Sequence, residues 1–526
     1  MMKGFPLYIM NIRKISFNRA VILTIISLCL ITILIQGTIL SSVLSGKVIL
    51  FGCILVFLTT LAYLTFLHKK NRLTEEKIVL AIIFVGMIFH CCYVLLSGLH
   101  DRQHDEGAYT GIASSQINPG HLGYIEYIYK FHKLPDMNPY ELFSYYHPPL
   151  HHLLSALWLM LLTTFGMAEA LAFENLQALP LLYSGLFMFI TYLIMKKAGA
   201  RGRGLYAGLF FVSMHPALAL MSGSINNDML SVVLLACCVL ATMCFIRERS
   251  FKNVMFIALS IGLGMISKLN VAVMAFPVGL IFLMDFVTVI RGKDNKVITE
   301  RVRNYIVFGV TTAVIGLSWI VRNLIRFREK PGIPTPPGIM YTGDYSIWAR
   351  LGIPALADWH FEFPFHPLSG KVIHNTWIIM MQTSLFGEVY PQYITGLPLA
   401  LCRIAYVAAI IFAVLSMGLF FVMQYRRFER PGRTNVYDAV FLASGYLIVL
   451  LSFAAFILKY PYTCSSDFRY VVIGLVYVAV GLSDSGVFCD DETKSAVISR
   501  VIRIGVCAVP ILTTIIYMIW HWDGTF

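Results

Sequence analysis

The stretch GSINNDMLSVVLLACCVLATMCFIRERS, residues 223–250, opens on an Asn-Asn-Asp turn and ends on Arg-Glu-Arg, with no charge between Met229 and Ile246. A helix needs about 20 apolar residues to cross a bilayer, and this run supplies them. The same pattern recurs at 19–43, 47–67, 77–98, 177–196, 204–222, 254–268, 271–290, 304–325, 399–424, 437–458, 468–484 and 503–521. With 228–246 these give an all-α polytopic membrane protein of about 13 transmembrane helices.

Composition agrees. Of 526 residues, 58% are hydrophobic and 13% charged, about half the charge of an average soluble domain. Mean hydropathy is +0.73. These values exclude a soluble enzyme, a disordered chain and a disulfide-stapled secreted domain. A porin-like barrel is excluded too, because its strands alternate apolar and polar residues. Most of the 11 cysteines lie inside apolar runs, and no CxxC occurs, so neither a zinc site nor a redox dithiol is expected. The first run, basic and then apolar to Leu40, is too long for a cleaved signal and reads as a retained span.

The net charge of +13 is first a matter of topology. With the N-terminus in the cytoplasm, 27 of the 41 Lys and Arg fall in cytoplasmic segments. That pattern holds only if the apolar stretch 149–165 does not cross, so this stretch reads as a helix on or dipping into the outer face, opened by Pro148 and Pro149. Two long outer segments result, 99–176 and 326–398. The second holds nine prolines and many aromatics and reads as a lid packed on the membrane surface. The expected division is 1–76, two N-terminal helices; 77–325, a transmembrane core that includes the outer loop 99–176; 326–398, the lid; and 399–526, the C-terminal helices.

Ionisable residues are costly inside a bilayer, and here they gather where spans meet the outer face. Asp105 and Glu106 open the first outer segment. Tyr146, His147, His151 and His152 surround the Pro-Pro turn. Asn227 and Asp228 begin a span. Lys268 sits in a short hairpin, Arg322 at the end of a span, and Arg469 at the entry to another. Each has a plain alternative: Asp228 as a helix cap, Lys268 as a snorkelling lysine, Arg322 as a headgroup anchor. Together, acids facing cations on one side form a layout for a phosphate-bearing lipid substrate beside a carboxylate base.

The order of these motifs resembles the GT-C glycosyltransferases, in particular the mannosyltransferase-like branch of glycosyltransferase family 39 and its bacterial relatives. The shared elements are Asp105-Glu106, His147-Pro148-Pro149-Leu150 through Trp158, Asn226-Asn227-Asp228, Ser267-Lys268, and Trp319 through Arg322-Asn323. The resemblance runs from about residue 77 to 330, with two additional spans ahead of Asp105.

It implies an inverting transferase that moves a sugar from a polyprenyl-phosphate carrier to an acceptor on the extracytoplasmic face of a bacterial cytoplasmic membrane. Asp105 would be the base, and Glu106 would orient it or contact the sugar. Lys268, Arg322 and Arg469 would hold the donor phosphate. Asp228, Asn227, Tyr146, His147 and His151 would line the acceptor and sugar cavity. No metal or other cofactor is expected, and the +13 charge does not point to nucleic acid. The rival readings are a lipid-linked sugar flippase, which would carry midplane charges, and a surface-polysaccharide polymerase.

Overall fold

The computed structural model describes residues 5–38, 46–99, 120–142, 144–329, 341–353, 374–387, 396–484, 487–488 and 496–523. The described residues form helices joined by short turns, with one isolated bridge between Tyr341 and Tyr462. In chain order the helices are α1 Phe5–Thr38, α2 Gly46–Lys69, α3 Glu75–Leu96, α4 Gly120–Phe131, α5 Leu150–Thr164, α6 Glu169–Glu174, α7 Ala178–Lys197, α8 Gly202–Ser213, α9 Pro216–Gly223, α10 Asp228–Arg247, α11 Phe251–Met265, α12 Ala275–Gly292, α13 Asn295–Gly316, α14 Ser318–Phe327, α15 Ile347–Leu351, α16 Thr376–Leu385, α17 Gly396–Glu429, α18 Arg433–Lys459, α19 Gly474–Asp484 and α20 Ala496–Asp523. The chain is an integral membrane protein. Its outward faces carry large apolar residues such as Phe51, Leu283, Val314 and Ile404, as lipid contact requires.

Among the described residues, nine helices are long and apolar enough to cross a membrane, or eleven if each of two bent pairs is one span. The expectation of 13 differs from this for two reasons. First, the expected spans 204–222 and 304–325 are each broken, by 44° between α8 and α9 and by 48° between α13 and α14. Pro216 at the first turn of α9 cannot donate to a preceding turn, so the α8 ladder stops before it. Second, the expected spans 254–268 and 468–484 appear as α11 and α19, of 15 and 11 residues. Such helices reach only about 22 and 16 Å against a hydrocarbon core of about 30 Å.

Ion pairs nevertheless pin both short helices to opposite ends of the bundle. At one end Lys268, just past α11, meets Asp228, and Arg469, just before α19, lies 3.6 Å from the same carboxylate. At the other end Arg249, just before α11, holds Asp285 at 3.0 Å, and Asp484, closing α19, takes Arg427 at 3.0 Å. Each short helix is therefore held at both of its ends by charge.

Helix α5 is held differently. Its first amide donates to Ile266 O (2.9 Å), and Trp158 donates to Asn175 O (3.2 Å). Ile266 adjoins the Lys268 hairpin. Asn175 adjoins Gln177, which bonds the carbonyls of Ser97 and Gly223. Both anchors lie at the Lys268 end, so α5 stays on that face. With α4 it encloses a small separate core of Leu122, Tyr124, Ile125, Tyr145, Ala156 and Leu159.

Candidate functional site

The site begins at the turn before α10. His151 Nε2 lies 2.6 Å from Ile225 O, so that nitrogen carries the proton. Asn226 Oδ1 accepts the Asp228 amide at 3.1 Å. Asn227 stands at the cap position, yet its side chain does not cap; Nδ2 donates to Ser267 O at 2.6 Å. The turn is thereby fastened to α5 on one side and to the Lys268 hairpin on the other. That hairpin closes tightly, with Lys268 N donating to Gly264 O at 2.7 Å. A Cβ at Gly264 would fall 2.9 Å from Val271 Cβ, so this close approach suits glycine.

These constraints aim three charges at one point. The Asp228 carboxylate is 3% exposed and forms an ion pair with Lys268 Nζ, while Arg469 Nε lies 3.6 Å from its other oxygen. Lys268 Nζ also sits 4.7 Å from the Tyr470 ring centroid. Buried ions persist only when paired, and here two cations share one carboxylate. Lys268 does not snorkel; its side chain is 13% exposed and turned inward. Arg469 arrives on a short 3-10 turn, where Asp467 Oδ1 accepts its amide at 2.7 Å.

The described parts of the 326–398 segment are tied to residues 457–468, which lead into this turn. Thr342 N donates to Pro461 O at 2.8 Å, and Arg350 donates to Ile457 O. Thr383 Oγ1 accepts Phe468 N at 2.9 Å, and Thr376 bonds Ser466 at 3.3 Å.

A histidine stack borders the site. The rings of His121 and His147 lie 5.1 Å apart, those of His121 and His152 5.2 Å, and Tyr124 stacks on His152 at 4.2 Å. His121 Nδ1 and His152 Nε2 are 2.9 Å apart. One donates and the other accepts, so the contact needs at least one neutral ring. Burial, with His121, His151 and His147 close by, holds His152 well below the usual histidine range. Burial likewise lowers His151 to about 4. Tyr146 packs its ring 4.4 Å from that of His147.

Arg322 is held on α14. Its Nη2 donates to Pro135 O at 2.5 Å, and its guanidinium rests 4.7 Å from the Trp319 ring. Trp319 itself donates to Tyr146 O at 3.2 Å, and Arg326 pairs with Asp136 at 2.8 Å. Thus α14 straps the 132–147 segment. The structure joins Asp228, Asn227, Lys268 and Arg469, with His151 bonded to the same turn, and brings Arg322 near Tyr124 of the bordering ring stack. Asp105 and Glu106 lie outside the described residues. His121, Tyr124 and Tyr470 were not anticipated: His121 follows a Pro-Gly pair with no partner at helical spacing, and Tyr470 reads as an ordinary interfacial aromatic. Among the described residues no group of three or more His, Cys, Asp or Glu is arranged to hold a metal ion.

Comparison with known proteins follows the same geography. The family model described as dolichyl-phosphate-mannose-protein mannosyltransferase matches residues 146–316, about a third of the chain. The match includes Tyr146, Asp228 and Lys268, and it meets the GT-C resemblance of the motifs over that stretch. No curated protein matches. Among solved structures, the Archaeoglobus fulgidus oligosaccharyltransferase tethered to an acceptor peptide is similar with a TM-score of 0.46 and 13% identity, over 85% of this chain and 55% of that one. The archaeal oligosaccharyltransferase AglB from Archaeoglobus fulgidus, in complex with an inhibitory peptide and a dolichol-phosphate, gives 0.44 and 14%, over 83% and 55%. The chain thus spans about half the length of these structures.

Proposed function

We propose that the chain is an inverting glycosyltransferase that takes a sugar from a polyprenyl-phosphate carrier and works at the Lys268 end of the bundle. The observation that carries this reading is the buried Asp228 carboxylate shared by Lys268 and Arg469. The Lys268 ammonium and the Arg469 guanidinium brought together there supply donors suited to a phosphate that gains negative charge as it leaves. The mannosyltransferase-like match over residues 146–316 supports the same class of chemistry.

In this reading the acceptor hydroxyl attacks the anomeric carbon from the face opposite the phosphate. Its proton passes to a carboxylate base, for which Asp105 is the candidate by motif, with Glu106 beside it. The new carbon–oxygen bond forms as the bond to phosphate oxygen breaks. The carrier phosphate departs with the electron pair toward Lys268 and Arg469. One displacement inverts the anomeric centre. Asn227 and His151 hold the turn that presents Asp228, Tyr146 and His147 border the acceptor side, and Arg322 fixes the 132–147 segment around them. The acceptor face would be the extracytoplasmic side, as the distribution of Lys and Arg suggests.

The assay reconstitutes the protein in proteoliposomes with a labelled polyprenyl-phosphate sugar. The expected result is label in a new glycoside together with free carrier phosphate. Movement of intact carrier between leaflets without glycoside formation would sink the reading and favour a flippase. The flippase finds no support in Asp285, which is gathered into the charged cluster at the opposite end.

A further inference from the structure

At the end opposite Lys268, one carboxylate collects three arginines. Arg249 Nε lies 3.0 Å from Asp285 Oδ1, Arg301 Nε 3.1 Å from Oδ2, and Arg433 3.6 Å from Oδ1. Tyr305 OH donates to Oδ2 at 2.8 Å. Asp285 is therefore fully engaged, and the guanidiniums still have donors to spare. Arg249 Nη2 is buried and makes no hydrogen bond among the described residues. Arg433 is about half exposed; one of its nitrogens donates to Tyr437 OH at 3.0 Å. Arg249 and Arg433 each lie 5.1 Å from the Tyr437 ring centroid, so two guanidiniums are held against one ring. Glu300, 3.6 Å from Arg301, is the other acid at the cluster.

Three guanidiniums against two carboxylates leave one positive charge, which matches a single phosphodiester. The cluster also stands beside lipid-facing surface. Helix α12, which carries Asp285, exposes Leu283, Val287 and Ile290, and α18, which carries Arg433 and Tyr437, exposes Leu447 and Leu451. A headgroup seated on the arginines would have apolar helix faces for its chains.

We propose that the α12–α13–α18 end is a seat for the headgroup of an anionic phospholipid, bound through its phosphodiester by the half-exposed Arg433, with the Arg249 and Arg301 charges behind it. Basic pockets between transmembrane helices recognise anionic headgroups by such charge-assisted bonds. The site is independent of the Lys268 end.

The test is native mass spectrometry of the full chain released from micelles containing phosphatidylglycerol or phosphatidylcholine. We expect retained phosphatidylglycerol adducts and few phosphatidylcholine adducts. Arg433→Gln should reduce the phosphatidylglycerol adducts about fivefold, which is what about 1 kcal/mol per surface cation corresponds to. Arg433→Lys, which keeps the charge, should retain most of them and guards against a misfolded Gln variant. Arg426→Gln, an exposed cation on α17, should change nothing. Equal adducts in wild type and Arg433→Gln, or equal loss in Arg426→Gln, would overturn the proposal. So would thermal stabilisation by inorganic phosphate with none by phosphatidylglycerol, because that would make the seat one for a free anion.

Discussion

The two ends of the bundle solve one electrostatic problem in different ways. At each, a buried carboxylate is outnumbered by cations: Asp228 by Lys268 and Arg469, Asp285 by Arg249, Arg301 and Arg433. The Asp228 group is built from hairpins and turns. Its cations are almost wholly buried, and it is fastened by His151 and Asn227. The Asp285 group is built from regular helices and helix ends and keeps Arg433 half exposed. Irregular backbone at membrane depth is tolerated only where it is buried in protein or lines a water-filled cavity. The contrast fits the chemistry proposed for the first end and the lipid seat proposed for the second.

That contrast can be broken in several ways. Asp105→Asn is expected to lower transfer in proteoliposomes by about 10²- to 10⁴-fold, the usual contribution of a general base, with insertion and folding unchanged. Undiminished turnover would remove Asp105 from the mechanism.

Removing either central carboxylate strands buried cations, at about 3–5 kcal/mol. Both Asp228→Asn and Asp285→Asn should therefore melt well below wild type. The ends should differ in which anion restores stability: polyprenyl phosphate for Asp228→Asn, phosphatidylglycerol for Asp285→Asn. Restoration of both by the same lipid would erase the distinction.

The histidine stack gives a pH signature. His151 and His152 titrate below the unfolded-chain value of about 6.5, because burial disfavours their charged forms. The unfolded chain then binds protons that the folded chain does not. Their stabilisation is complete above pH ~6.5 and is lost as pH falls, at about 1.4 kcal/mol per pH unit for each group. For His151 the loss continues down to about 4. Melting temperatures in detergent between pH 7.5 and 4.5 should show this slope, and His152→Phe should flatten it. A slope unchanged in that variant would place the titration elsewhere.

The smallest effect is expected at Arg322. Arg322→Lys loses the fork that reaches Pro135 O and lies against Trp319, at about 1 kcal/mol for one hydrogen bond. It should speed proteolysis within 132–147 more than it slows transfer. A loss of transfer as large as that of a phosphate-binding residue would return Arg322 to the donor site.

How far the sequence foretold this depends on the kind of signal. Long apolar runs announce helices wherever they occur, so nearly every expected span has a helix at its place. The bends are harder to read. Pro216 marks the break between α8 and α9, whereas Gly316-Leu317-Ser318 marks the other only as a site where a helix can kink, without fixing its 48°. That bend directs α14 over the neighbouring loop, where Arg322 meets Pro135. The pairing of Asp228 with Lys268 could be foreseen as two hairpins on one face. The resemblance grouped Arg469 with Lys268, but the 3-10 turns at 463–470 that deliver it have no hydrophobic period to reveal them.

The most direct test of the central claim is single-turnover transfer from a labelled polyprenyl-phosphate sugar by Lys268→Met, with Arg433→Gln as the control from the other end. The account predicts a fall of about 10²- to 10³-fold in Lys268→Met, the typical loss of one group that stabilises developing charge, and a rate near wild type in Arg433→Gln. A Lys268→Met enzyme that transfers at the wild-type rate would contradict it.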